Sequence, residues 1–128
     1  MKNEYEVIVD ANILKRLSKM VGLFVTTTVG EESDKVVYLQ FKNKKCNLYL
    51  ENQFGAFDYC FDVNMGDFDK TVILDAKTFI EVVKNGSDNI RLILDDACVI
   101  FTFGKSKYKI PTLKGKLNKI EDKKDFLA

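Results

Sequence analysis

The chain has 128 residues, with twenty Lys and Arg against nineteen Asp and Glu, and no His. That length fits one domain, or two pseudo-symmetric halves, and lets about two thirds of the unfolded surface be buried without staples. A net charge of +1 rules out a general attractor for polyanions, so any such contact must come from charge segregated onto one face. The missing His removes the commonest general base and metal ligand.

Tyr5 to Val9 is β-branched and reads as a strand. Asp10 suits a helix N-cap, because its carboxylate can accept a free amide of the first turn. Ile13, Leu14, Leu17, Met20 and Val21 then form one helical stripe. Gly22 reads as the helix stop, followed by β-rich Leu23 to Val29 and a polar turn over Gly30 to Asp34. Val36 to Phe41 alternates as a strand, and Asn43-Lys44 suits a tight turn into Cys46 to Leu50. Ala56 to Val63 alternates most clearly, with Phe57, Tyr59, Phe61 and Val63 on one face and Ala56, Asp58, Cys60 and Asp62 on the other. Asn64 to Asp69 reads as a loop.

The opening then recurs. Val7-Ile8-Val9-Asp10-Ala11 returns sixty-five positions later as Val72-Ile73-Leu74-Asp75-Ala76. Asp75 is again a cap, Phe79, Ile80, Val82 and Val83 form the stripe, and Asn85-Gly86 ends the helix. Three strands follow, Ile90 to Leu94, Ala97 to Phe103 and Lys107 to Leu113, joined by hairpin-sized connections at Asp95-Asp96 and Gly104-Lys105. Pro111 cannot donate to a ladder, so the last strand is expected to offer an edge.

The pattern is a β-α-β-β-β unit, twice. It predicts an α+β fold with two short helices, each about 15 Å long, on one face of antiparallel sheets and the other face left to solvent. Residues 1–113 form the expected domain, with units at about 5–63 and 70–113. Residues 114–128 are a polar tail or interdomain linker, and Lys105 to Lys124 holds eight Lys against two acids.

Candidate chemistry is sparse. Cys46, Cys60 and Cys98 have no metal-binding spacing and read as small buried hydrophobes. Their odd number and an N-terminus without a leader pattern predict reduced thiols and a cytoplasmic location. No run reaches the ~18 apolar residues of a membrane span. Asp95-Asp96, and Asp67 with Asp69, read as solvated turns, because no further ligand converges on them. The repeated Asp10 and Asp75 read as caps. No enzyme motif, metal site or cofactor site is present in the sequence.

The helix faces carry the remaining signal. Away from the apolar stripes stand Asn12, Lys15, Arg16, Ser18 and Lys19 on the first helix, and Lys77, Thr78, Glu81, Lys84 and Asn85 on the second. Five cations against one anion suit loose contact with phosphates. Good helix formers on a solvated surface would look the same.

Two such units with lysine-bearing helices resemble one domain of a DNA sliding clamp, the polymerase processivity factor. The resemblance is to the N-terminal domain of the bacterial DNA polymerase III β clamp and to phage clamps. It covers about residues 5 to 113 and is carried best by the stretch from Val72 to Lys84, by Ile90-Arg91-Leu92-Ile93-Leu94 with Cys98-Val99-Ile100-Phe101, and by the closing run from Gly104 to Leu113. It implies a non-enzymatic ring around duplex DNA, with Lys15, Arg16, Lys19, Lys77 and Lys84 facing the lumen, and a polymerase and a clamp loader as partners. Known clamps use two or three such domains per subunit, so the chain is expected to be part of a longer clamp, a homo-oligomer, or a clamp-like domain that does not encircle DNA. The alternative is a protein-interaction module of the same fold that binds partner peptides.

Overall fold

A computed structural model describes residues 5–27, 35–52, 55–86, 88–95 and 97–113. Strand β1 (Tyr5–Asp10) leads into helix α1 (Ala11–Thr27), then β2 (Val36–Lys42), β3 (Lys45–Asn52), β4 (Gly55–Asp62) and the two-residue β5 (Asn64–Met65). The second pass gives β6 (Lys70–Asp75), α2 (Ala76–Val83), β7 (Asn89–Leu94), β8 (Cys98–Phe103) and β9 (Ser106–Pro111). Two antiparallel sheets result, ordered β5-β1-β7-β8-β9 and β4-β3-β2-β6.

The two passes exchange their first strands. β1 pairs with β7, and β6 pairs with β2, so each sheet joins a three-strand meander from one pass to the opening strand of the other. The closing strands cross over in the same reciprocal way. Beyond β4, Met65 pairs with Val7 of β1, and beyond β9 the amide of Leu113 donates to the carbonyl of Ile73 in β6, 2.9 Å away. Neither pass can bury its own apolar face alone, so they fold as one body.

One core joins the inward faces of both sheets to both helices. Leu14, Leu17, Val21 and Val25 of α1 and Phe79, Val82 and Val83 of α2 meet Val7, Val37, Leu48, Leu74, Leu92 and Phe101 from the strands. Phe79 and Phe101 pack edge to face with centroids 6.3 Å apart, a favoured geometry for buried rings.

Local chemistry explains the element boundaries. Asp75 accepts from the Thr78 amide at 3.0 Å and from its hydroxyl at 2.9 Å, and Asp10 accepts from the Asn12 amide at 2.8 Å. Both repeated aspartates are therefore caps. Asn43 and Lys44 hold φ of 55° and 61°, as a two-residue turn matched to strand twist requires.

Three expectations are corrected. Gly22 does not stop α1, and Leu23 to Thr27 is helix rather than strand. The Leu14, Leu17, Val21 and Val25 periodicity carries through the glycine, so core burial overrides both the glycine and local β propensity. At 17 residues, α1 is about 26 Å long rather than 15 Å. Asn64 and Met65, expected in a loop, form β5 against β1. Cys60 is exposed, while Cys46 and Cys98 are buried, because Cys60 occupies the outward position opposite Asn47 and Cys46 the inward one opposite Phe61. Burial, with the neighbouring Cys60 adding to it, pushes the Cys46 thiol well above its ordinary range.

The outer face of the second sheet is not wholly left to solvent either. Val36, Tyr38, Tyr49 and Ile73 form a small buried cluster there, against which Leu113 packs. The Tyr49 hydroxyl donates to Glu51 at 3.0 Å. The turn expected at Gly30–Asp34, the last residues of the strand expected to reach Val29, Asp96, and the tail from Lys114 lie outside the described residues.

Candidate nucleic-acid interface

The two helices pack against each other as well as on the strands. Arg16 and Lys19 of α1, and Lys77 of α2 with Lys84 at its C-cap, are exposed; Lys15 is half-buried. Ser18, expected among the outward residues, is only 6% exposed. Its hydroxyl donates to the Lys15 carbonyl at 2.7 Å. The cause is the breadth of packing: α1 meets α2 as well as β1 and β3, so a wider sector of the helix is covered than one apolar stripe implies.

The five cations are not equivalent. Lys84 pairs with Glu81 at 2.8 Å, both side chains more than half exposed. An exposed pair of this kind adds little stability, but it offsets the local field of that lysine. Arg16 and Lys19, by contrast, have no anionic partner among the described residues, so the first half of α1 carries the stronger positive surface. Asn85 closes the α2 end by donating its side-chain amide to the Glu81 carbonyl at 3.1 Å. The one anion on these faces is thus engaged by a cation of its own helix.

Beside the cations lies a feature the sequence reading missed. Met20, Leu23 and Tyr59 are 43%, 63% and 46% exposed. Ile13, Arg16, Leu17 and Met20 of α1 and Phe57 and Tyr59 of β4 line an open groove of about 230 Å³. Rings continue along its floor: Phe57 and Tyr59 stack with centroids 6.5 Å apart, Tyr59 and Phe61 at 6.2 Å, and Phe24 leans on Phe57 at 5.9 Å. Extending the helical period past Gly22 would have revealed part of it, since Leu23 stands two turns beyond Arg16 on the same side.

No group of three or more acidic or cysteine side chains among the described residues could hold a metal ion, and Asp67 and Asp69 are simply exposed. Among the described residues, no helix is long and apolar enough to cross a membrane.

No family model and no curated protein sequence matches the chain. Solved structures do. The Helicobacter pylori β clamp in complex with carprofen aligns at a TM-score of 0.73 and 17% identity, over 88% of this chain and 30% of the clamp. The β subunit of Pseudomonas aeruginosa DNA polymerase III aligns at 0.71 and 12%, over 88% and 31%. The H. pylori clamp bound to a DNA ligase peptide aligns at 0.72 and 17%, over 84% and 30%. The chain thus spans about a third of the length of the clamps it matches. Two reciprocally paired β-α-β-β-β passes, with their helices side by side over a shared core, are the fold of one domain of a bacterial DNA polymerase III β sliding clamp.

Proposed function

We propose that this chain is a sliding-clamp domain that holds duplex DNA without reading its sequence and thereby supports polymerase processivity. The observation that carries this reading is the adjacency of α1 and α2, whose solvent faces hold Arg16, Lys19, Lys77 and Lys84, with Lys15 of α1 half-exposed, in a chain whose sheets and core carry no catalytic constellation among the described residues. Helix cations reach phosphates but not base edges, and contact of that kind gives retention without a preferred stopping place. Ordered waters can bridge the longer gaps at little cost. The role is non-enzymatic.

Encirclement then calls for further domains of this fold, on the same chain or on other copies. A polymerase and a clamp loader are the expected partners. The ligase peptide on the H. pylori clamp supports short peptides as the form in which partners dock.

The test is retention of duplex DNA by the assembled protein across a salt series. The expected result is weak, sequence-independent association that falls steeply with salt and is lost when Lys15, Arg16, Lys19, Lys77 and Lys84 are changed to Glu. Unchanged retention in that variant overturns the reading.

A further inference from the structure

Equivalent cross-strand rows on the outer faces of the two sheets differ in character. On the second sheet, Ile73 of β6 stands beside Tyr38 of β2, Tyr38 beside Tyr49 of β3, and Tyr49 beside Asp58 of β4. On the first, the equivalent strands set Ile8 beside Arg91, Arg91 beside Thr102 and Thr102 beside Lys107. The arginine row is polar and open, and Arg91 pairs with Glu6 at 2.6 Å with both side chains more than half exposed. The tyrosine row is apolar until it ends in acid.

A sheet face left to water keeps its side chains exposed, yet Tyr38 and Tyr49 are only 5% and 1% exposed. Leu113 is the described hydrophobic residue packed on their cluster, and one leucine is too small to cover two phenol rings. The amide of Leu113 is tied to the carbonyl of Ile73, so the chain leaves the described residues at the start of the row. Glu51 and Asp58 are exposed near its far end, and the negative charge of both acts on the Tyr49 phenol. Asp58 accepts from the Asn47 side-chain amide and has no cationic partner among the described residues.

We infer that residues 114–117 of the same chain dock along the tyrosine row, with Leu117 beside Asp58 and with Lys114 and Lys116 held by Glu51 and Asp58. The span fits. Three strand spacings separate β6 from β4, about 14 Å, and four extended residues cover about 13 Å. Alternate residues of an extended chain share a face, so Leu113, Gly115 and Leu117 meet the sheet together. Gly115 has no side chain to hold the backbone off the rings. Lys114 and Lys116 face away from the rings, and their long stems fold back to the acids while the apolar part of each covers the row. The segment carries two cations and no anion, which complements the acidic end. It lies on the face opposite the helices, so these lysines add nothing to the cationic surface of α1 and α2, and the inference does not rest on the DNA-contact reading.

The test is nuclear magnetic resonance on the full, isotope-labelled 128-residue chain. The expected result is through-space contacts from Gly115 and Leu117 to the rings of Tyr38 and Tyr49, unchanged on dilution and absent between labelled and unlabelled copies in a mixed sample. Lys114→Glu with Lys116→Glu should abolish these contacts at low salt and shift both ring signals, while the signals of Phe79 and Phe101 stay in place and confirm the fold. Adding Glu51→Lys and Asp58→Lys to that variant should restore the contacts. Absence of the contacts in the native chain overturns the inference, as do contacts seen only between different copies, or a charge-reversed chain that keeps them. Retention of duplex DNA should be the same for Lys114→Glu with Lys116→Glu as for the native chain. A loss there would put these lysines on DNA and overturn this inference, whereas the helix variant tests the DNA-contact reading separately.

Discussion

The amide of Ala11 donates to the carbonyl of Asp88 at 2.9 Å, and its counterpart Ala76 donates to Lys35 at the same 2.9 Å. Each helix begins on a hydrogen bond to the residue that precedes a strand of the other pass. The first helical amides have no partner within their own helix, so each pass satisfies the start of the other. This couples helix placement to strand exchange, and fixes the two solvent faces on which the proposed DNA contact depends.

The caps beneath that arrangement should differ measurably. Asp75 accepts two hydrogen bonds from Thr78 and Asp10 accepts one from Asn12. Asp75→Ala should lower unfolding free energy by about 1 kcal/mol, and Asp10→Ala by less. Urea denaturation compares them, and equal losses would show that the second bond at Asp75 contributes nothing.

Gly22 offers a direct check on the length of α1. It lies mid-helix without a positive φ, and a Cβ added there meets nothing within 4 Å. Gly22→Ala should therefore stabilise the protein by about 0.5–1 kcal/mol. Destabilisation in a thermal melt would mean that the helix stops at this residue after all.

Tyr49 should make the fold sensitive to alkali. Burial first, then its hydrogen bond to Glu51 and the nearby negative charges, raises its phenol to about 12. A folded-state value above the ordinary 10.0 means that the native state holds the proton more tightly than the unfolded chain. The resulting stability is fully present below pH 10 and is lost as pH rises towards 12. Tyr38 is shifted the same way by burial and then by Glu51. Tyr49→Phe should flatten the fall in melting temperature over that window, and a slope equal to the native one would refute the assignment.

Among the helix cations, loss of Arg16 and Lys19 should weaken duplex retention more than loss of Lys84, whose charge is already met by Glu81 at 2.8 Å. Each phosphate contact removed should lower the slope of log affinity against log salt by about 0.9. Arg16→Ala with Lys19→Ala should therefore reduce it by close to two units, and Lys84→Ala by much less. Fluorescence anisotropy on a labelled duplex measures both, and equal effects would show that the Glu81 pair opens on binding.

The sequence by itself determined what periodicity and short-range chemistry control. The doubled Asp-Ala step gave both caps, because a cap involves residues two or three apart. Alternation gave the two-sided β4, and Asn43-Lys44 gave the turn between β2 and β3, because strand faces and tight turns are local. Tertiary structure decided the rest. Gly22 and Leu23 read locally as a stop and a strand, yet burial of Val25 on the shared core keeps them helical. Ser18 looked solvent-facing until α1 was seen to pack on α2. Tyr59 could be placed beside Arg16, Met20 and Leu23 only once β4 was brought against α1, with 36 positions separating Leu23 from Tyr59 in the chain. The exchange of β1 and β6 was likewise invisible in a repeat, since a repeat specifies what each unit contains and only burial of their common apolar faces decides with which strand each one pairs.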